Sequence, residues 1–276
     1  MKLLEKLKID CEFVSSYLIE FVRQEITKTG LKRAVIGLSG GIDSTVSAYI
    51  AKEALGKENV YGILMPYKLS SKDSIEDALK VVKDTGIHHK IFEITEPADA
   101  YIGKFEEMDK VRRGNVLARM RMITLFDHSQ LYQALVVGTS NKTELLLGYG
   151  TWYGDMASSL NPIGDLYKNQ IYQLARFFNV PESIIKKKPS ADLWVGQSDE
   201  EELGFSYDEA DVILYHLFDL HYSIEEVVRL GFKEELVTGI FERVKRNQFK
   251  RLPPIIAKIS KRTINIDFRY LRDWGL

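Results

Sequence analysis

Over residues 1–29 apolar residues fall at helical spacing: Leu3 and Leu7, then Phe13, Val14, Tyr17, Leu18, Phe21, Val22 and Ile26. The spacing predicts an amphipathic helix, ended by Thr29-Gly30. Its stripe has two uses, packing on its own domain or self-association. The period then changes. Ala34-Val35-Ile36-Gly37-Leu38, Val60-Tyr61-Gly62-Ile63-Leu64-Met65, Lys90-Ile91-Phe92-Glu93-Ile94 and Ala134-Leu135-Val136-Val137-Gly138-Thr139 are short β-prone runs. Helical stretches separate them, from Ser44 to Leu55, Ser74 to Asp84 and roughly Val111 to Leu131. Continuous apolar strands alternating with helices predict an α/β fold, doubly wound, with a mostly parallel sheet of about five strands. Beyond about residue 165 the pattern is helical, at 168–179, 181–187, 207–219, 223–230 and 233–249, and Pro253-Pro254 end the last stretch. No repeat, low-complexity tract or linker divides the chain, so 1–276 reads as a single domain.

Composition narrows the class. The chain balances 38 Lys+Arg against 39 Asp+Glu, a net charge of −1, which argues against a protein basic throughout. Lys2, Glu5, Lys6, Lys8, Asp10 and Glu12 interrupt every early apolar run, so no signal peptide is expected. No window approaches the roughly 18 apolar residues of a membrane span. The expectation is a soluble cytoplasmic protein with neither membrane nor nucleic-acid partner. Cys11 is the single cysteine, which excludes an internal disulfide and any multi-cysteine metal site and fits a reducing compartment. It has no base nearby in sequence and reads as structural. The five histidines, His88, His89, His128, His216 and His221, sit in no catalytic pattern.

The most informative segment is Gly37-Leu38-Ser39-Gly40-Gly41-Ile42-Asp43-Ser44, between the first strand and its helix. Amides of a tight glycine turn converge on one concavity, and the helix N-terminus adds roughly half a positive charge. Ser39 and Ser44 offer hydroxyls, and Gly40 and Gly41 permit close approach by phosphate oxygens. The spacing fits neither G-x-x-x-x-G-K-[ST] nor G-x-G-x-x-G. Asp43 lies inside this anion site and would repel phosphate alone, so Mg²⁺ is the natural mediator. The bland alternative is an Asp/Ser helix cap with a glycine turn.

This segment resembles the SGG[ILV]DS pyrophosphate loop of the ATP pyrophosphatase superfamily. Further blocks follow: Val137-Gly138-Thr139-Ser140-Asn141-Lys142-Thr143-Glu144, Gly148-Tyr149-Gly150-Thr151, Gly154-Asp155, Asn161-Pro162-Ile163-Gly164-Asp165-Leu166-Tyr167-Lys168, and Lys188-Pro189-Ser190-Ala191-Asp192-Leu193. In this order they resemble the ammonia-using NAD synthetase family over roughly residues 1–255. That resemblance implies a carbon–nitrogen ligase of NAD biosynthesis, which adenylates deamido-NAD with ATP and amidates it with ammonia. It implies that ATP is bound by Gly37–Ser44, Thr139, Lys168 and Ser190, with Asp43 and Lys168 catalytic and Asp43 and Glu144 on Mg²⁺. It implies deamido-NAD on Arg119, Asp155 and Lys250, a mobile lid at 188–205, and a homodimer. Arg119 lies in a basic helix with Lys110, Arg112, Arg113 and Arg121, for which a solvated face or an RNA contact is the competing reading. Asp267-Phe268-Arg269-Tyr270 and Asp273-Trp274, in the 256–276 tail, also look like family members. The chain departs from the pattern at Trp152, Ser159 and Phe249, where family members often carry Lys, Asp and His. There Trp152 and Tyr153 offer ring stacking instead. A glutaminase needs an activated thiol, which Cys11 does not offer, so free ammonia or a separate supplier is implied. A tRNA-modifying adenylating enzyme and a non-catalytic nucleotide binder are the rivals.

Overall fold

The computed structural model describes residues 3–190, 192, 194 and 196–264. The tail motifs at 267–274 and residues Ala191 and Leu193 therefore lie outside the described residues. Four strands, β1 (Arg33–Gly37), β2 (Val60–Leu64), β3 (His88–Ile91) and β4 (Ala134–Val137), pair in parallel in the order β3-β2-β1-β4. Beyond β4, Leu160 makes a single parallel bridge with Val137, where a fifth strand would extend the sheet. β3 starts two residues earlier than its apolar run suggests. It is an exposed edge strand, and Phe92 and Ile94 donate amides to Leu64 and Pro66 from irregular chain beyond it. Ile94 is apolar because it plugs the core, not because it pairs.

Alternate residues of β1 face opposite layers, as the two-residue period of a strand requires. Ala34 and Ile36 pack with Leu18, Val22 and Ile26 of α1 (Cys11–Thr27) and with Val46 and Ile50 of α2 (Ile42–Leu55). Val35 packs with Ile63, with Ala98 of α4 (Thr95–Ile102) and with Leu117 of α5 (Lys110–Tyr132). Helices thus cover both faces of the sheet. α3 (Lys72–Thr85) joins the first layer, started by the Ser71 hydroxyl on the Ser74 amide and stopped at Gly86, φ +69°. The short helix α4 is not legible from periodicity; its eight residues bury only Ala98.

The predicted N-terminal helix is two pieces. Leu4–Leu7 form a 3-10 turn, and Asp10 accepts the Phe13 amide at 3.0 Å to begin α1. The break has a packing cause. Leu7 enters a second core with Tyr167, Tyr207, Ile213 and Ile240, whereas Leu18 and Val22 face α2. One straight helix could not serve both. Phe13 and Tyr17 remain exposed.

That second core is helical. It gathers α6 (Lys142–Leu147), α9 (Asp199–Leu203), α10 (Tyr207–Leu214) with a π-helical turn at Tyr215–Asp219, α11 (Ile224–Val228) and α12 (Glu234–Arg246). α7 (Lys168–Phe177) and α8 (Glu182–Ile185) pack instead on the first layer. No described helix is long and apolar enough to cross a membrane. Replacing Asp10 by Ala is expected to lower unfolding free energy by about 1 kcal/mol, measured by urea titration, through loss of the α1 cap.

Candidate active site

The carboxyl ends of β1 and β4 deliver the two loops that build the site. In the first, Gly40 adopts φ +75°, and a Cβ there would stand 2.2 Å from the Ser74 carbonyl oxygen. Only glycine meets both conditions. Gly41 caps α2 in an extended conformation, φ −91°. The loop is held by its own side chains. Ser39 accepts the Gly41 amide at 3.2 Å, Ser44 accepts the Ser39 amide at 3.3 Å, and Ser44 and Thr45 donate to the Gly41 carbonyl at 3.0 and 2.8 Å. The two serines expected as phosphate donors therefore also shape the turn.

Asp43 leaves the first turn of α2 toward β4. Lys168 Nζ lies 2.5 Å from its Oδ2 and 3.4 Å from Glu144 Oε1. Asn141 completes the group. Its Nδ2 donates to Asp43 Oδ1 at 2.9 Å, its Oδ1 accepts the Glu144 amide at 3.0 Å, and its own amide donates to Glu144 Oε2 at 3.3 Å. Those last two bonds are the reciprocal cap of α6. Asn141 thus fixes both carboxylates, a role its place in the sequence block did not reveal. The only signal was a cap asparagine three residues before a glutamate.

Lys168 is 2% exposed, with its ammonium 5.0 Å from the Tyr207 ring centre. Burial pulls its pKa down, but Asp43 and Glu144 outweigh that and hold it above the ordinary lysine value. Burial and the Asp43 charge push Glu144 up to about 8, against the pull of Lys168.

A cavity of about 700 Å³ opens beside this group. Leu38, Ser39, Asp43 and Ser44 line it, as do Thr139, Glu144, Lys168 and Ser190, so the expected ATP half converges. Asp155 and Lys250 also line it. Asp155 accepts the Thr151 amide at 2.8 Å; burial raises its pKa and the Arg121 charge opposes. Lys250 donates to the carbonyls of Gly148 and Gly150 at 2.7 and 2.8 Å, bracing the strip that carries Asp155. Arg119 is not brought to the cavity wall. It is exposed and donates to the Trp152 carbonyl at 3.2 Å, whereas Arg121, two residues on, lines the cavity with Nε on the Met65 carbonyl at 3.2 Å. The sequence reading placed Arg121 in the basic helix without a role. Trp152 stacks on Tyr153 at 4.4 Å and meets Phe249 edge-on at 5.5 Å, and Ser159 accepts the Val136 amide.

In the 188–205 segment Ser190 accepts the Asp192 amide, and Asp192 accepts the Ser71 amide at 3.1 Å. Its second half is anchored by α9, where Asp199 takes the Tyr149 hydroxyl at 2.9 Å. Burial and Asp10 raise the Cys11 pKa, the opposite of what a nucleophilic thiol needs.

The sequence matches the family model for NAD synthase over residues 14–254. The chain belongs to the NAD synthase family. Its relatives include an NH3-dependent NAD+ synthetase of Trichlorobacter lovleyi, 54% identical across 99% of this chain and all of the relative. Another, of Chlorobium phaeobacteroides, is 51% identical over 97% of each. Among solved structures, NH3-dependent NAD synthetase from Campylobacter jejuni superposes with TM-score 0.79 at 40% identity, covering 91% of this chain and all of that one. NMN synthetase from Francisella tularensis gives 0.81 at 29% identity, over 91% and 99%. These NAD synthase relatives match the chain nearly end to end, so the loop, the Asp43–Lys168–Glu144 group and the helical second core fall within one shared architecture.

Gly40→Ala is expected to cost about 2 kcal/mol or more of stability, from positive φ and the clash with Ser74. Gly41→Ala, whose Cβ would meet only Ser39 Oγ at 3.3 Å, is expected to cost well under half of that; urea unfolding of both variants measures the contrast.

Proposed function

We propose that this chain is an ammonia-dependent ligase that makes NAD⁺ from deamido-NAD and ATP through an adenylated carboxylate, releasing AMP and pyrophosphate. The observation that carries this is the convergence of Asp43, Glu144 and Lys168 beside a glycine loop at a helix N-terminus, on the wall of a cavity of about 700 Å³. The near full-length likeness to NH3-dependent NAD+ synthetases supports the choice of acceptor.

The N-terminus of α2 and the loop amides not engaged by Ser39 and Ser44 bind the triphosphate, in a turn whose shape the hydroxyl network of Ser39, Ser44 and Thr45 sets. Thr139 and Ser190, which both line the cavity, contact the nucleotide. Lys168 keeps its proton and faces the charge that grows as pyrophosphate departs. The nicotinate carboxylate attacks the α-phosphorus, and ammonia then displaces AMP from the mixed anhydride. No protein nucleophile takes part; alignment and fixed charge supply the rate. Asp155 and Lys250 serve the acceptor from inside the cavity. Arg119, outside its lining and hydrogen-bonded to the Trp152 carbonyl, is assigned to the same acceptor beside the Trp152–Tyr153–Phe249 rings. Ser190 and the other described residues of 188–205 act as the lid that keeps water from the adenylate.

Two hard carboxylates held by Asn141 fit a cation shared with phosphate oxygens, and no group of three His, Cys, Asp or Glu among the described residues forms a protein-only site. Asp43 and Glu144 would hold Mg²⁺, which when bound neutralises triphosphate charge. The protein acts in the cytoplasm as a homodimer, for which the exposed Phe13 and Tyr17 of α1 offer an apolar face. Its ammonia arrives free or from a separate protein.

The decisive assay supplies ATP, Mg²⁺, deamido-NAD and ammonium and follows NAD⁺ and pyrophosphate together, with nicotinic acid mononucleotide and tRNA as alternative acceptors. Equimolar NAD⁺ and pyrophosphate with deamido-NAD is the expected result; turnover with another acceptor alone, or none, overturns it. Asp43→Asn and Glu144→Gln are each expected to lower kcat by roughly 100-fold or more while circular dichroism stays unchanged.

A further inference from the structure

We propose that Asp211 is a positioning residue, which from α10 holds the first turns of α6 and α7 in the register that brings Glu144 and Lys168 to Asp43. The idea rests on the function proposed above for those three side chains. Asp211 is fully buried and does not line the cavity, so it touches no substrate. Its Oδ2 accepts the Asn169 amide at 2.7 Å, and its Oδ1 accepts the Thr143 hydroxyl at 2.5 Å. Thr143 Oγ1 in turn accepts the Lys168 amide at 3.0 Å. These bonds make a closed clasp across three helices. Thr143 immediately precedes Glu144, and Asn169 immediately follows Lys168, so each functional side chain is one peptide away from an atom Asp211 holds.

The clasp meets a need of α7. Tyr167 at its cap position gives no side-chain bond to the helix amides. The amides of buried Lys168 and half-buried Asn169 have no partner within the first turn of α7, and Thr143 and Asp211 supply one to each. A carboxylate at a helix N-terminus also interacts favourably with its dipole. α10 supports the lysine from a second side, since Tyr207 packs its ring against the ammonium. Burial pushes the Asp211 carboxyl up to about 7, against the pull of its two hydrogen bonds and of Lys168.

The test compares Asp211→Ala, Asp211→Asn and Lys168→Ala by steady-state kinetics and by amide hydrogen exchange in the intact protein. Asp211→Ala is expected to lower kcat by about 10- to 100-fold with both substrate KM values within about twofold, because the groups are misplaced and not removed. Its Lys168 and Asn169 amides are expected to exchange at least about tenfold faster, with the β1 amides unchanged. Asp211→Asn keeps an acceptor for Asn169 and is expected to recover kcat to within about threefold of the parent. Should Asp211→Ala fail to fold, Thr143→Val removes the hydroxyl link at nearly constant shape and is expected to show the same kcat-only loss. The idea is overturned if Asp211→Ala, or Thr143→Val in its place, keeps parental kcat, if the loss lies only in KM, or if Asp211→Asn is no better than Asp211→Ala. Parental kcat in Lys168→Ala overturns the role of the lysine instead, and the exchange rates then decide the clasp alone.

Discussion

A buried ammonium between two carboxylates is what the rest of this structure depends on. Lys168 is 2% exposed, and its partners come from different helices, Asp43 from α2 and Glu144 from α6. Charges taken out of water are costly unless their partners are well placed, and losing one partner leaves the others uncompensated. The three helices must therefore meet to within a few tenths of an ångström. Much of the fold serves that requirement: the parallel pair β1 and β4 sets α2 beside α6, and Asn141 ties the two carboxylates to one another. Such an arrangement is a poor way to gain stability. It is a good way to keep a cation and two oxygen donors fixed before a polyanion arrives.

The cavity is uneven in how it is built. The side formed by the glycine loop is made of backbone and short side chains, ordered by internal hydrogen bonds. Its other side includes longer side chains already engaged with backbone carbonyls: Lys250 on Gly148 and Gly150, and Arg121 on Met65. Groups tethered this way have their direction set while keeping further donors, which suits recognition of a ligand with several oxygens.

Legibility in the sequence followed the same division. The alternation of apolar runs with helical stretches made the layered sheet readable, because each buried strand leaves an unbroken apolar word. The glycine loop was readable because Gly40 answers a local demand, positive φ and contact with Ser74, that no other residue meets. What stayed hidden depends on distant partners. The break at Lys8–Asp10 exists because Leu7 and Leu18 belong to different cores. β3 was displaced because Ile94 is apolar for a packing reason. Asn141 and Asp211 look like an ordinary cap and an ordinary helix acid until α2, α6, α7 and α10 are brought together. Arg119 and Arg121 are equivalent in a string, yet two residues on a helix differ by more than half a turn.

The placement of the leading 3-10 turn bears on how the molecule is made. Leu7 is enclosed by Tyr167, Tyr207 and Ile240, its carbonyl accepts the side-chain amides of Gln170 and Gln173, and Lys6 meets His216. The Leu4–Leu7 turn thus waits for partners that lie much later in the chain. Until the chain has reached Ile240 the core around that leucine is incomplete, whereas the sheet layer, whose four strands end at Val137, has its strands earlier. Seating that turn is therefore a contact of long sequence separation, the kind that costs most loop entropy to close.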